Sequence, residues 1–496
     1  MIDIPYDLWE PVIGLEIHAQ LNTKTKLFSS APNHFGDDPN TNITVVCTGQ
    51  PGSLPVLNKE AVRKAVQFGL AVKGEVARSS RFDRKSYFYP DAPVNFQITQ
   101  FDHPIVRKGQ ITTHFGGLKK TFDITRAHLE NDAGMLKHFT NFAGVDYNRA
   151  GAPLIEIVSE PCMHSASEAS AYAQAIRALL IYLDVCDGNM DEGSLRIDVN
   201  ISVRLKTETA LRPRIEIKNM NSFSFLEMAI NSEITRQIVL YMENPDKSPQ
   251  ELMPPGTYRW DPDTKQTNLM RKKESAEDYR YFPEPDLPPV VLSEEYIDSI
   301  AAALPELPYD RYNRYINDLG FNDYSATILV NDKKLCDYFE EALTICNNPR
   351  LLSNWITVEF AGRFKESGRS LLNSGISPKH VAKLVQLIEQ NKINGKIAKS
   401  VADDMIANPG LDPEIIVQKN PDYQPNDNVA EIEAFVTITL IENPNSVKDF
   451  LAGNQRAFGA LVGYAMKLSK GKANPLIVND LLTTKLNKIR AEGENP

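Results

Sequence analysis

The sequence predicts an α+β protein, in which an antiparallel sheet domain is followed by helices. Residues 194–204 alternate polar and aliphatic side chains without a break, which is typical of a strand with one buried face. Short β-branched runs separated by turn signals continue to about Val291, and they favour antiparallel strands over βαβ units. Helical patterns dominate after Ser293. We therefore expect a sheet domain, an all-helical domain and a small helical tail.

Composition narrows the class of protein. The chain has 496 residues, no apolar stretch of membrane-span length and an acidic rather than basic N-terminus, so we expect a cytoplasmic protein with no membrane partner. Its five cysteines form no CxxC pair, which argues against a zinc ribbon or a disulfide framework. The net charge of −10 argues against generic coating of nucleic acid, but it leaves room for a local basic patch.

Polar faces recur on several predicted strands. The runs 14–20, 153–158 and 214–218 read as strands with charged side chains on one face, and the acidic loops 129–132 and 191–193 belong to the same set. The residues that we single out on these segments and on the strand 194–204 are Glu16, His18, Glu130, Glu156, Glu192, Asp198 and Glu216.

This set of carboxylates predicts a divalent-cation site. A carboxylate on a half-buried sheet is costly unless it is paired or bound to a metal. Oxygen-rich donors with little imidazole fit Mg²⁺ better than zinc. The alternative, that each residue is salt-bridged on an exposed sheet face, stays open for any single position.

The sequence contains no P-loop, no GxGxxG motif, no HExxH motif and no amidase or Ser-His-Asp signature. If ATP is used, metal and cationic side chains on the sheet must therefore hold its phosphates. Arginine is suited to bidentate contact with phosphate oxygens. The candidates for this role are Arg196, Arg204, Arg214 and Lys218.

Helices and linkers are predicted from local signals. Residues 165–183 have apolar side chains at helical spacing, and Ser293 followed by two glutamates is a suitable N-cap. The Pro-rich run 282–289 and the stretch 408–428 read as linkers. The predicted domains are therefore 1–292, 293–408 and 409–496.

Two segments suit RNA. Residues 84–91 interleave basic and aromatic side chains, which fits a single-stranded end, although an edge strand capped by its tyrosines explains them equally well. The tail carries a basic cluster with small residues, but a solvated helix end explains it slightly better. The candidates for RNA contact are Lys85, Tyr87, Tyr89, Arg456, Lys467, Lys470 and Lys472.

Eight segments, in order along the chain, resemble the B subunits of the tRNA-dependent amidotransferases, the GatB family. No single segment is specific for the family, but the occurrence of all eight in this order along the chain is specific for it. They are residues 12–18, 82–91, 128–130, 153–161, 191–196, 216–223, 278–286 and 470–475.

The resemblance implies part of an enzyme that works with an amidase (the A subunit) and a small third chain (the C subunit) on glutamyl-tRNA(Gln) or aspartyl-tRNA(Asn). ATP and Mg²⁺ would phosphorylate the side-chain carboxylate of the attached amino acid, and ammonia from the amidase would displace the phosphate. The resemblance also implies a cradle like that of glutamine synthetase and guanido kinases, a helical domain and a YqeY-like tail that grips the tRNA. It carries the metal role to Glu16, His18, Glu130 and Glu156.

Three departures from the family pattern stand out. Asn131 occupies a position that is usually acidic, so it is a weak ligand, or Asp132 compensates, or the site is altered. Some members hold a structural zinc on four cysteines, of which only Cys47 is present, so we expect no zinc. The tail loop 453–456 has less lysine than usual, which predicts a modest loss of phosphate contact.

Two other functions stay open from the sequence. A free-standing amide ligase acting on a small acid would use the same cradle without RNA, and it would leave the tail without a role. A non-catalytic tRNA-binding scaffold would bind tRNA without turning over ATP, and Asn131 makes this conceivable.

Overall fold

The computed structural model describes residues 4–272, 276–423, 428–469 and 471–493. The chain forms two compact units, Met1–Asn313 and Arg314–Pro496, and each is described by itself. The first is mixed α+β and the described part of the second is helical, which confirms the α+β class. The finer division at residues 292 and 408 stays a prediction.

In its described part, the first unit contains one large sheet and three smaller sheets. Its described strands are β1 (Trp9–Gln20), β2 (Glu75–Val76), β3 (Ser79–Ser80), β4 (Asp83–Ser86), β5 (Phe96–Thr99), β6 (Val106–Arg107), β7 (Gln110–Phe115), β8 (Leu118–Asn131), β9 (Met135–His138), β10 (Ala143–Asp146), β11 (Pro153–Ser159), β12 (Leu195–Leu205), β13 (Ile215–Met220), β14 (Gly256–Asp261), β15 (Gln266–Lys272), β16 (Phe282–Pro283) and β17 (Val290–Val291).

The strand order of the large sheet is β15-β14-β13-β12-β1-β11-β8-β6-β2, with β7 paired to β8. Among these described strands every pairing is antiparallel except β13 with β14. The predicted strands at 14–20, 153–158, 194–204 and 214–218 are confirmed, and they lie side by side. Because β1 lies between β11 and β12, polar residues from distant parts of the sequence meet on one face.

The strand β12 is buried on both of its faces. Ile197, Val199 and Ile201 are at most 2% exposed, as predicted for the aliphatic face. On the polar face, Asp198 and Asn200 are also below 10% exposed. The polar face is therefore covered by other parts of the unit, which is the arrangement expected of a cavity wall.

Helices pack against the aliphatic face. The described helices of the first unit are α1 (Lys59–Ala71), α2 (Ala166–Tyr182), α3 (Phe223–Glu243), α4 (Pro249–Leu252), α5 (Glu294–Ala302) and α6 (Pro308–Asn317), the last of which runs into the second unit. The predicted helix at 165–183 is confirmed, and Ser165 caps it by accepting from the backbone N–H of Glu168. The helices α1 and α3 were not predicted, although both contribute to the same core as the aliphatic face of β12.

The interpretation of residues 282–289 as a linker is wrong. Phe282–Pro283 forms β16, which pairs with β4 to complete the three-stranded sheet β16-β4-β5. Glu284 is only 4% exposed and is bound to Arg84. This segment is therefore a wall of the first unit, and Ile297 of α5 also packs into that unit's core. Ser293 caps α5 as predicted.

The second unit is helical in its described part. Its helices are α7 (Asp323–Asn331), α8 (Lys333–Leu343), α9 (Pro349–Asn354), a π-helix (Trp355–Phe360), α10 (Ala361–Phe364), α11 (Pro378–Glu389), α12 (Gly395–Ala407), α13 (Pro413–Lys419), α14 (Val429–Glu442), α15 (Pro444–Leu451), α16 (Gln455–Leu468) and α17 (Pro475–Gly493).

Part of the predicted linker 408–428 is helical, because α13 lies within it and packs on α11 and α12. Residues 424–427 of that stretch lie outside the described residues. The last helices, α14, α16 and α17, share a separate small core that includes Ile432, Leu461 and Leu482. No helix in the described part of the chain is long and apolar enough to cross a membrane.

Candidate active site

The polar face of the large sheet forms one wall of a cavity of about 1170 Å³. Small-molecule sites usually measure about 300–1,000 Å³, so this cavity has room for a nucleotide together with a second substrate group. The sheet β16-β4-β5 and the loops after β1 and before β12 supply the remaining walls. Two clusters of ionisable residues lie on the sheet wall.

The first is the histidine–carboxylate cluster of His18, Glu130 and Glu156, whose ligand atoms all lie within 4.8 Å of one another. The Nε2 atom of His18 is 3.6 Å from Glu130 Oε1 and 3.4 Å from Glu156 Oε2. The strands β1, β11 and β8 are neighbours, and His18 lies opposite Glu156 in the pairing of β1 with β11. The sheet order therefore assembles this cluster from three distant parts of the sequence.

Charge interactions shift the pKa values of both His18 and Glu156. Burial alone lowers the pKa of His18, but the negative charges of Glu156 and Glu130 outweigh it and raise the pKa to about 9. Burial raises the pKa of Glu156, but His128 and His18 outweigh this and hold it well below its ordinary value. The two side chains therefore favour each other's charged forms.

The second is the carboxylate cluster of Glu16, Asp198 and Glu216, whose oxygens also lie within 4.8 Å of one another. Glu16 lies opposite Asp198 in the pairing of β1 with β12, and it accepts a hydrogen bond of 2.8 Å from Asn200 Nδ2. Burial raises the pKa of Glu16, and the charges of Glu156, Glu216 and Asp198 raise it further. Three carboxylates this close, in a partly buried place, repel one another and favour a cation.

Two cationic side chains line the same wall. Lys218 Nζ lies 2.5 Å from Asp198 Oδ2 and 2.8 Å from Glu216 Oε1. Burial lowers the pKa of Lys218, but the two carboxylates outweigh it and raise the pKa above its ordinary value. Arg196 donates to Asp132 Oδ2 at 2.8 Å. Both side chains also line the cavity.

The donors of the two clusters fit a divalent cation of the magnesium kind. Five of the six ligand groups are carboxylates and only one is an imidazole. Hard cations such as Mg²⁺ prefer oxygen donors, whereas zinc sites use sulfur or several imidazoles. The residues present therefore suit Mg²⁺, with Glu16 in a different cluster from His18, Glu130 and Glu156.

The structure does not bring two of the predicted phosphate contacts to the cavity. Arg204 donates to Glu10 and to the backbone oxygen of Thr209. It lies eight residues along β12 from Arg196, a distance of about 26 Å in an extended strand. Arg214 is exposed just before β13, and neither residue lines the cavity. Arg204 shares a face of β12 with Arg196, but its position along the strand separates it from the site.

The predicted RNA contacts fall in two places. Lys85 and Tyr87 line the cavity, and the Tyr87 ring stacks on Tyr89 with centroids 4.9 Å apart. In the second unit, Arg456 and Lys467 are exposed. Of the other two tail candidates, Lys472 is exposed and forms an ion pair of 2.7 Å with Asp422, while Lys470 lies outside the described residues.

The remaining acidic candidate is Glu192, which is exposed on the loop before β12 and lines the cavity without belonging to either cluster.

Sequence reasoning missed His128 as a site residue. Its side chain is buried, and its Nε2 atom lies 3.3 Å from Glu156 Oε2 and 3.9 Å from Glu130 Oε2. The period-two rule could have found it, because His128 and Glu130 share a face of β8. The buried ring of His128 therefore contacts both carboxylates of the histidine–carboxylate cluster.

Asn131 links two sheets through hydrogen bonds. Its Oδ1 accepts a hydrogen bond of 2.7 Å from the backbone N–H of Ile98 on β5, and its own carbonyl accepts from Gln97. Asn131 thus joins the large sheet to the sheet β16-β4-β5, and its side-chain oxygen is engaged. Its neighbour Asp132 is held by Arg196.

The position proposed for zinc in some relatives holds a mixed set of donors. Cys47 Sγ lies 3.3 Å from Ser29 Oγ, 3.5 Å from Thr44 Oγ1 and 3.7 Å from Lys26 Nζ. One thiol with two hydroxyls and an ammonium does not match the four sulfur or nitrogen donors of a structural zinc site. The absence of zinc stays a prediction on this chemistry.

Two protein-family models match this chain, and one of them covers the cavity. The GatB/GatE catalytic domain family matches residues 11–298, which include both clusters and the cavity-lining residues Glu284 and Asp286. The GatB domain family, GatB_Yqey, matches residues 337–486. The chain belongs to the GatB family.

Relatives match along the whole chain. The B subunit of the aspartyl/glutamyl-tRNA(Asn/Gln) amidotransferase of Protochlamydia amoebophila is 62% identical over 478 residues, which is 96% of this chain and 97% of the relative. The proteins of the same name from Chlamydia abortus and Chlamydia trachomatis serovar D are each 56% identical, covering 98% and 97% of this chain and 100% and 98% of the relative.

Proposed function

We propose that this chain is the B subunit of an aspartyl/glutamyl-tRNA(Asn/Gln) amidotransferase. It converts glutamyl-tRNA(Gln), aspartyl-tRNA(Asn) or both to the amide, together with the amidase and the small C subunit, in the cytoplasm. Family membership supports the reaction class. The observation that carries the proposal is the pairing of two ligand clusters with two cationic side chains on one cavity wall.

Activation of a carboxylate needs metal ligands and cationic side chains, and this cavity wall contains both. A carboxylate is a poor acyl donor because oxide is a poor leaving group, and phosphorylation by ATP corrects this. Bringing a carboxylate and a triphosphate together requires positive charge, which Mg²⁺ supplies when it is bound. The histidine–carboxylate cluster and the carboxylate cluster hold the metal, while Arg196 and Lys218 orient phosphate oxygens.

The proposed RNA contacts follow from the same arrangement. Lys85 and Tyr87, which line the cavity, and Tyr89, which stacks on Tyr87, receive the acceptor end of the tRNA by phosphate contact and base stacking. The tail residues Arg456, Lys467, Lys470 and Lys472 contact the tRNA body. We assign the cradle of residues 1–292 to the fold class of glutamine synthetase and guanido kinases, residues 293–408 to the helical domain, and residues 409–496 to a YqeY-like tail.

Phosphate release from ATP by the reconstituted heterotrimer tests the proposal. We expect release that requires glutamyl-tRNA(Gln) or aspartyl-tRNA(Asn), and a fall of about 100-fold or more in Glu130→Gln, which removes one charge from a ligand cluster. The matched control is Glu75→Gln, since Glu75 is exposed and pairs with Lys108 outside the cavity.

The other outcomes identify the competing functions. Release that is indifferent to charged tRNA contradicts the proposal and indicates a ligase for a small acid. Full tRNA binding without any release of phosphate indicates a scaffold. Comparing the two charged tRNAs in the same assay identifies the preferred substrate.

A further inference from the structure

Lys218 lies inside the carboxylate cluster. Its Nζ atom is within 2.8 Å of oxygens from two of the three members, Asp198 and Glu216. An Mg²⁺ ion binds carboxylate oxygens at about 2.0–2.1 Å. A metal held by the same two oxygens would therefore sit against the ammonium group, and the two cations would compete for one place.

The two clusters have different basic neighbours. In the histidine–carboxylate cluster the base is His18, whose neutral ring is itself a metal ligand. In the carboxylate cluster the base is Lys218, whose ammonium has three donors and no lone pair for a metal. A metal that binds through the two oxygens held by Lys218 must therefore displace its ammonium group.

The surroundings of Lys218 allow this displacement. The side chains of Asp198 and Glu216 are only 12% and 13% exposed, whereas that of Lys218 is 37% exposed. Lys218 also lines the cavity, and its flexible stem of four carbons can move the ammonium toward a ligand there. Arg196 is less free to do so because Asp132, which is itself buried, holds it.

We propose that Lys218 is the counter-ion that keeps the carboxylate cluster closed to a divalent cation until an anionic ligand in the cavity draws the ammonium away. This inference rests on the proposed function, in which that ligand is the phosphate chain of ATP. Entry of a metal at the carboxylate cluster and binding of the nucleotide then favour each other, and by linkage each strengthens the other equally. The histidine–carboxylate cluster fills without this coupling.

Direct titration with Mn²⁺ tests the proposal. The probe is Mn²⁺ alone, added to the heterotrimer without nucleotide or tRNA and followed by calorimetry and by the electron paramagnetic resonance of free Mn²⁺. We expect wild type to bind one ion at the histidine–carboxylate cluster and a second ion weakly. In Lys218→Gln the second ion binds about tenfold more tightly or better, in the range of ordinary coupling between sites.

Further lysine variants separate the effect of charge from that of side-chain shape. Lys218→Arg keeps a positive charge and should leave the second ion weakly bound. The matched control Lys120→Gln removes a lysine that pairs with Glu168 outside the cavity, and it should not change either affinity. Lys218→Met retains most of the stem, and it replaces Lys218→Gln if circular dichroism shows that the glutamine variant is unfolded.

Carboxylate variants assign the ions to the clusters. Asp198→Asn in the Lys218→Gln background should abolish the tighter second ion. An unchanged second affinity in both Lys218→Gln and Lys218→Met, or a gain that survives Asp198→Asn, overturns the inference about Lys218. Failure of the proposed function is a separate result: phosphate release would then be independent of charged tRNA, whatever the Mn²⁺ titration gives.

Discussion

The bond between Arg84 and Glu284 gives the sharpest test of how the cavity is closed. The Arg84 guanidinium donates to the two oxygens of Glu284 at 2.6 and 2.9 Å, and the Glu284 side chain is fully buried. This contact fastens β16 to β4 across 200 residues of sequence. Removing the arginine should therefore release a cavity wall as well as destabilise the unit.

The magnitude follows from the burial of Glu284. Deleting one partner of a buried ion pair leaves an uncompensated charge, which costs about 3–5 kcal/mol. The backbone N–H of Asp286 still donates to Glu284, and Arg84 is partly exposed, so we place Arg84→Ala at the lower end, about 3 kcal/mol. For a unit of 313 residues, at about 2.1 cal/mol/K of unfolding entropy per residue, that is a fall in Tm of roughly 5 °C.

The assay is thermal unfolding of the full chain followed by circular dichroism, with phosphate release measured on the heterotrimer. The control is Arg78→Ala, because the pair of Arg78 with Glu294 is exposed at both ends and such pairs contribute about 1 kcal/mol or less. The double variant Arg84→Met, Glu284→Gln should recover much of the loss. An Arg84→Ala chain that unfolds within about 2 °C of wild type would refute the reasoning.

Three further predictions concern the sheet wall. Arg196→Gln should lower phosphate release by about tenfold or more, whereas Arg204→Gln should leave it within about twofold, because only Arg196 lines the cavity; equal losses in the two variants would contradict this placement. Asn131→Ala should cost about 1–3 kcal/mol in urea unfolding because the Ile98 N–H loses its acceptor, while Asn131→Asp keeps an acceptor and should cost less. His128→Phe should reduce Mn²⁺ affinity at the histidine–carboxylate cluster by about 10–100-fold, and an unchanged affinity would show that His128 only fills space.

The period-two pattern predicted strands and faces well, since it depends only on local geometry. It placed the carboxylates on one face, but it could not show that Glu16 and His18 belong to different clusters. Residues two apart on a strand are about 6.6–7 Å apart, whereas cross-strand neighbours approach within about 4.5–5.5 Å. Glu16 therefore clusters with Asp198 and Glu216 across the strands, and His18 clusters with residues of β11 and β8.

Other misses have the same origin in non-local packing. Arg204 and Arg196 share a face of β12, but a face does not say how far along the strand a site extends. The helix α3 is rich in Ile and other residues that also suit strands, and packing on the sheet decided its form. The run 282–289 looked like a linker because its partner strand β4 lies about 200 residues earlier.

The separation of Arg84 and Glu284 in sequence has a consequence during synthesis on the ribosome. Ribosomes add about 5–20 residues per second, so Arg84 emerges some 10–40 seconds before Glu284. During that interval the nascent chain holds most of its acidic ligands on a sheet that still lacks one wall. Contacts of such long range also slow the folding of a completed chain. A truncated product that ends before β16 would therefore lack Glu284 and Asp286, which line the cavity.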